Sequence, residues 1–247
     1  MRFQDAAKDA RAVVYAGIQA DPLVARAAAA LVDASPGERL LARAVMNGES
    51  NDPETWRAMF PRLFGAGTDA NERARSDAIL ALSLEVAARG EQVRSQFRGA
   101  IVESLTGRLL ARRVPPASLH RERRILFDGI RAEIHPYDVT VELPERAEAY
   151  DCKWGARGIG PDVLLQLEAA RGYAEAEGSR LLVVLVVFDA RRSCRVRLAR
   201  QTAPLAGIRL VTLESLDALG RAKTPPATGQ EVPAAPVGPP AAPSSAR

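Results

Sequence analysis

The chain has 247 residues, 47% apolar and 26% charged, a balance that suits one large or two small globular domains and excludes disorder throughout. Thirty-four basic residues against 30 acidic ones give a formal charge of +4, which permits an anionic partner without requiring one. The longest apolar run, residues 181–188 (LLVVLVVF), is far shorter than the roughly 20 residues of a membrane span, and acids at Asp5, Asp9 and Asp21 interrupt any leader-like start.

Residues 1–90 read as a helical region, with turn signals at Asp21-Pro22, Ser35-Pro36-Gly37-Glu38 and Asn51-Asp52-Pro53-Glu54. Ser35 and Glu38 have the spacing of a capping box. Trp56, Met59, Phe60, Leu63 and Phe64 recur at helical spacing and predict one buried face.

From residue 91 the pattern becomes mixed. Glu91 to about Arg113 predicts a helix with Val102, Leu105 and Leu109 as its stripe, stopped by Pro115-Pro116. Residues 124–134 predict a hairpin around Asp128-Gly129. Alternation over Tyr137 to Leu143 and a run from Ala149 to Trp154 predict two more strands. Pro161 opens a second helix to about Glu177. Residues 181–188 should be a central strand covered on both faces, followed by a last strand near 209–213 and a short helix near 214–219. Residues 221–247, rich in Pro, Ala, Gly and Ser, predict a disordered tail. The expected organisation is therefore a helical region over 1–90, an α/β domain over 91–220 and a tail.

Chemistry concentrates on three acids and a lysine. In the strand ending at Trp154, Asp151 and Lys153 share one face, while Tyr150, Cys152 and Trp154 share the other. If the two strands are hairpin neighbours, Asp138 approaches Asp151, and converging carboxylates repel unless a cation lies between them; oxygen ligands favour Mg²⁺ or Mn²⁺. Glu103 lies on the preceding helix between Gly99 and Gly107, a spacing that lets a helix approach a sheet closely. Lysine occurs only at positions 8, 153 and 223, leaving 31 arginines. An arginine at position 153 stays protonated, whereas a lysine there can shift its pKa.

A glutamate in a helix, Asp138 preceded by Pro136-Tyr137, then Asp151-Cys152-Lys153 closing a strand before a helix that carries Gln166, together resemble the PD-(D/E)xK nuclease superfamily over about residues 91–213. The resemblance implies a restriction-endonuclease-like fold: a helix, three strands, a helix and further strands in a mixed sheet flanked by helices. It implies a divalent-metal-dependent nuclease, with DNA as the expected substrate. By that match Asp138, Asp151, Glu103 and the Cys152 backbone carbonyl hold Mg²⁺ or Mn²⁺, Lys153 orients or deprotonates the attacking water, and Gln166 is an accessory residue. The tyrosine that one branch of the superfamily carries four residues after this glutamine is Ala170 here.

The densest basic run comprises Arg108, Arg112, Arg113, Arg121, Arg123 and Arg124, candidates for phosphate contacts. Arg191, Arg192, Arg195, Arg197 and Arg200 form a second run. The alternative from the same residues is a nuclease fold that binds or scaffolds DNA without cutting it. A protein partner through the helical region, a homodimer and a cytoplasmic location are further expectations; with two cysteines, Cys152 and Cys194, no disulfide framework is expected.

Overall fold

A computed structural model describes residues 1–6, 10–131, 135–201 and 207–221 of the chain. The expected tail beyond Arg221 and the far end of the 124–134 hairpin lie outside the described residues. The architecture is a mixed sheet with helices on both faces. Strand β1 (Arg2–Asp5) is followed by helices α1 (Ala10–Gln19), α2 (Pro22–Val32), α3 (Pro36–Asn47), α4 (Pro53–Met59), α5 (Pro61–Phe64), α6 (Ala70–Ala87) and α7 (Glu91–Leu110). Then come β2 (Leu119–Phe127), β3 (Ile130–Arg131), β4 (Tyr137–Leu143), β5 (Arg146–Lys153), α8 (Pro161–Ala176), β6 (Leu181–Val187), α9 (Arg191–Leu198) and β7 (Arg209–Thr212).

The sheet runs β1-β2-β4-β5-β6-β7, with β3 paired to β2. β4 and β5 are antiparallel, while β6 lies parallel to both β5 and β7. The Asp128-Gly129 turn has φ of 46° and 83°, the pair of positive values that suits a tight hairpin. β6 is covered on both faces as its composition implies. Val184, Val186 and Phe188 join the core shared with α2 and α7, while Val183, Leu185 and Val187 pack with Leu164, Leu167 and Ala170 of α8.

Helix α7 is the axis of the molecule. From Phe97 to Leu110 all but a few of its residues are buried, Arg108 being exposed. One core cluster joins Leu23, Val24 and Leu31 of α2 through Ile101 and Leu105 of α7 to Val139, Tyr150 and Cys152 of the sheet. Arg39, fully buried, extends that union: it donates to the Leu31 and Val32 carbonyls and reaches Asp217 Oδ1 at 2.6 Å in the 3-10 segment Leu213–Leu219. The capping box forms as predicted, Ser35 accepting from the Glu38 N–H and Glu38 from the Ser35 N–H.

The structure departs from the sequence reading in three places. Residues 1–90 are not all helical, because Arg2–Asp5 pairs antiparallel with β2; four residues with one inward side chain, Phe3, are too short for periodicity to announce. The aromatic stripe is split by Pro61 into α4 and α5, so Trp56 is buried, whereas Met59 is 61% exposed. Where no element was expected between residues 189 and 208, most of the second arginine run forms the helix α9, anchored by the buried Cys194. Among the described residues no helix is long and apolar enough to cross a membrane.

Candidate metal centre

Glu103, Glu122 and Asp138 each place a carboxylate oxygen so that the three lie within 4.8 Å of one another. Glu103 comes from the buried middle of α7 and is itself 5% exposed. Asp138 is the second residue of β4 and Glu122 the fourth of β2. The register pairs Arg121 with Val139 and Arg123 with Tyr137, which sets Glu122 opposite Asp138. Glu122 has φ of 52°, a left-handed conformation that a glutamate seldom adopts and that structures retain where a side chain must be aimed.

Two side chains from α1 complete the surroundings. Tyr15 Oη donates to Glu103 Oε1 at 2.5 Å, and Gln19 Nε2 donates to Glu103 Oε2 at 2.8 Å and to Glu122 Oε1 at 3.1 Å. The room for Tyr15 comes from Gly99, where a Cβ would stand 3.0 Å from the hydroxyl. The glycine expected to bring the helix to the sheet therefore admits a side chain from α1. Gly107 similarly faces Arg121, whose guanidinium would be 3.5 Å from an added Cβ.

Asp151 and Lys153 share a face, and Lys153 Nζ lies 2.5 Å from Asp151 Oδ1. Asp151 is engaged by the lysine and lies near enough to Asp138 for its charge to act on it, and Glu122, which the sequence reading did not include, joins Glu103 and Asp138 in the acid group. At Cys152 the contact to the site is its N–H, which donates to Asp138 Oδ2 at 2.5 Å; its thiol packs behind, against Thr106. Gln166 is buried and pairs both ways with the His135 backbone, at 3.1 Å each. These two bonds brace the segment that enters β4.

Burial and mutual repulsion raise the acids of this group. Burial pushes the Asp138 carboxyl well above the usual range, and the charges of Glu103 and Asp151 push it further. Burial also raises Glu103 against the hydrogen bonds from Tyr15 and Gln19, and Glu122 is raised by burial and by Glu103. Lys153 loses some basicity to burial, but Asp151 and Asp138 more than restore it and hold it above the usual lysine value. Three acidic oxygen donors with no histidine or thiolate among them fit Mg²⁺ or Mn²⁺.

A pH dependence follows. Carboxyls raised on folding contribute stability below their unfolded pKa, and that stability is lost as pH rises through the folded values. A divalent cation takes the place of those protons. Mn²⁺ should therefore raise the melting temperature little near pH 5 and by about 5–10 °C near pH 8, taking about 2–4 °C per kcal/mol for a chain of this size. Melting curves with Mn²⁺ and with a chelator across that range check this, and a shift independent of pH would count against carboxylate ligation.

The basic run of residues 108–124 does not form a single patch. Arg113 is buried against Glu148 and Tyr150 and donates to the Leu219 carbonyl at 2.7 Å. Arg123 is held by Asp5 and Glu142, Arg112 by Asp33, and Arg124 is also partnered. Arg108 and Arg121 are exposed.

Glu122, Tyr15 and Gln19 were not legible as site residues. Glu122 sits inside the basic string His-Arg-Glu-Arg-Arg, where an acid reads as an ordinary ion-pair partner, and Tyr15 and Gln19 reach the site from a helix more than 80 residues away in sequence.

No family model matches the chain, and no curated protein matches it. Among solved structures, the crystal structure of protein VC1899 from Vibrio cholerae is similar over 89% of this chain, at 18% identity and a TM-score of 0.41. The chain spans 56% of the length of that protein.

Proposed function

We propose that this chain is a divalent-metal-dependent nuclease of PD-(D/E)xK type that hydrolyses phosphodiester bonds, with DNA as the first substrate to test. The observation that carries the reading is the convergence of Glu103, Glu122 and Asp138 on one point beside the Lys153–Asp151 pair. Glu103, Glu122 and Asp138 would hold Mg²⁺ or Mn²⁺. Such an ion shields the phosphate charge and lowers the pKa of a bound water.

The chain's own groups then have distinct parts. Lys153, kept protonated by its pair with Asp151, supplies a compact positive charge for the developing phosphorane charge rather than a base for the water. Asp151 holds that ammonium in place. Tyr15 and Gln19 fix both oxygens of Glu103, leaving each a lone pair for a ligand. The Cys152 N–H orients the Asp138 carboxylate.

Incubating the purified chain with plasmid, linear and single-stranded DNA in Mg²⁺ or Mn²⁺ tests the reading. Cleavage is expected with metal and not with a chelator, and Lys153→Ala should lower it by at least about 10²-fold, the scale of losing one electrostatic stabiliser, with an unchanged circular dichroism spectrum. Full activity in Lys153→Ala would remove the lysine from the site. Metal-independent DNA binding with no cleavage would favour the non-cutting alternative.

A further inference from the structure

A cleft of about 860 Å³ opens beside Lys153, walled by α3, the first turns of α7, and the segment that follows β5. We propose that this cleft holds the sugar–phosphate backbone of a nucleic acid strand and leads it to Lys153; the substrate class rests on the nuclease reading above.

The charge of the walls supports an anionic occupant. Arg43, Arg94, Arg98, Lys153 and Arg157 line the cleft, against two acids, Glu91 and Asp189. Asp189 is spent within the wall: its Oδ2 accepts from Arg43 at 2.6 Å and from the Ala156 N–H at 2.9 Å, tying α3 to the segment after β5. Glu91 alone faces two guanidiniums. Arg94 Nε donates to its Oε2 at 2.7 Å and Arg98 to its Oε1 at 2.9 Å. One carboxylate, 62% exposed, thus sits between two planar forks of donors, an arrangement that a phosphodiester's two free oxygens can also satisfy. Arg157 is exposed and, among the described residues, has no ion pair.

The geometry ties this surface to the acid group. Lys153 lines the cleft and also reaches Asp151. Its stem passes over Gly158, where a Cβ would stand 3.1 Å from the lysine Cβ, so the glycine-bearing segment allows the lysine to lie along the cleft floor. Trp154 stands on the wall, stacked on Phe188 with ring centroids 5.0 Å apart and donating to Asn47 Oδ1 at 3.0 Å. The chain has two tryptophans and the other, Trp56, is buried, so Trp154 reports on the cleft by fluorescence. These arginines come from the helices ahead of the sheet and from the segment after β5, and none belongs to the run at 108–124.

Anisotropy of a fluorescein-labelled DNA strand, its duplex and the RNA of the same sequence, measured with a chelator present over a salt series, tests the proposal. Arg157→Glu makes no internal bond to lose and should weaken binding by about tenfold, with a shallower salt slope, because each phosphate contact contributes close to one unit of slope. Glu91→Gln, which removes the competing carboxylate charge, should tighten binding. Both changes, together with loss of the binding-induced fluorescence change in Trp154→Phe, support the cleft; Arg26→Ala, on a surface pair with Glu85, serves as the control.

Unaltered affinity in Arg157→Glu and in Glu91→Gln, with metal-dependent cutting intact in the wild type, overturns the cleft and leaves the nuclease reading standing. Wild-type protein that binds through these residues but cuts nothing in Mn²⁺ overturns the nuclease reading and keeps the cleft. Binding of mononucleotides with none of the longer strands overturns the assignment of a backbone as the occupant.

Discussion

Asp138→Asn is expected to abolish metal-dependent cleavage, by at least about 10³-fold, and at the same time to make the metal-free protein more stable. The two effects share a cause. Asp138 stands beside Glu103 and Asp151, and burial together with those charges raises its carboxyl well above the usual range. Without a cation, the ionised group is a cost to the fold. Asparagine keeps an oxygen to accept the Cys152 N–H now bound by Asp138 Oδ2 and removes the charge. Relief of this repulsion is worth about 1–2 kcal/mol at neutral pH, or roughly 4 °C in melting temperature. Melting in a chelator and cleavage in Mn²⁺, measured on one preparation, read both signs. A lower melting temperature would mean that Asp138 serves the fold through its hydrogen bond, and retained cutting would remove it from the metal centre.

Arg113→Ala should instead damage the fold. The side chain is 8% exposed, and its guanidinium lies against Glu148, Tyr150 Oη and the Leu219 carbonyl. Glu148 and Tyr150 are each 1% exposed, so removing the arginine leaves a buried carboxylate without the cation that compensates it, at a cost of about 3–5 kcal/mol. For a chain of this size the melting temperature falls by about 10 °C. Denaturant titration gives the free energy directly. A change below about 1 kcal/mol would show that water or another partner takes over the site. Pairing Arg113→Met with Glu148→Leu should recover most of the loss, because it removes both charges. Folded Arg113→Ala should bind DNA as the wild type does, since the residue lies away from the cleft.

The contrast between Arg113 and Arg157 marks what the chain reveals on its own. Both are arginines near glycine- or proline-rich turns, and only the first belongs to a dense basic run. Density in sequence does not separate the two, because a cluster of charge is as easily consumed in internal pairs as left at the surface. Strand and helix order were better served. Alternation at Tyr137–Leu143, the all-apolar run at 181–188, Pro161 and the Asp128-Gly129 turn each encode a local geometry through side-chain period or backbone φ. β1 and α9 escaped notice, the one being four residues long and the other eight with a mostly charged surface.

The candidate site divides along the same line. Asp151 and Lys153 are two apart on one strand, so their shared face follows from a period of two and was legible without the fold. Which acids meet was not. Glu103, Glu122 and Asp138 come from a helix and two strands, and Tyr15 and Gln19 from another helix far upstream. Their convergence depends on strand register, on the left-handed backbone at Glu122 and on a glycine that admits Tyr15. The sequence by itself determined the elements, the strand face carrying an acid and a lysine, and the supply of hard oxygen ligands. Only the tertiary structure decided which three carboxylates come within 4.8 Å of one another and which arginines are consumed in internal pairs, because both depend on distances between segments that no local pattern encodes.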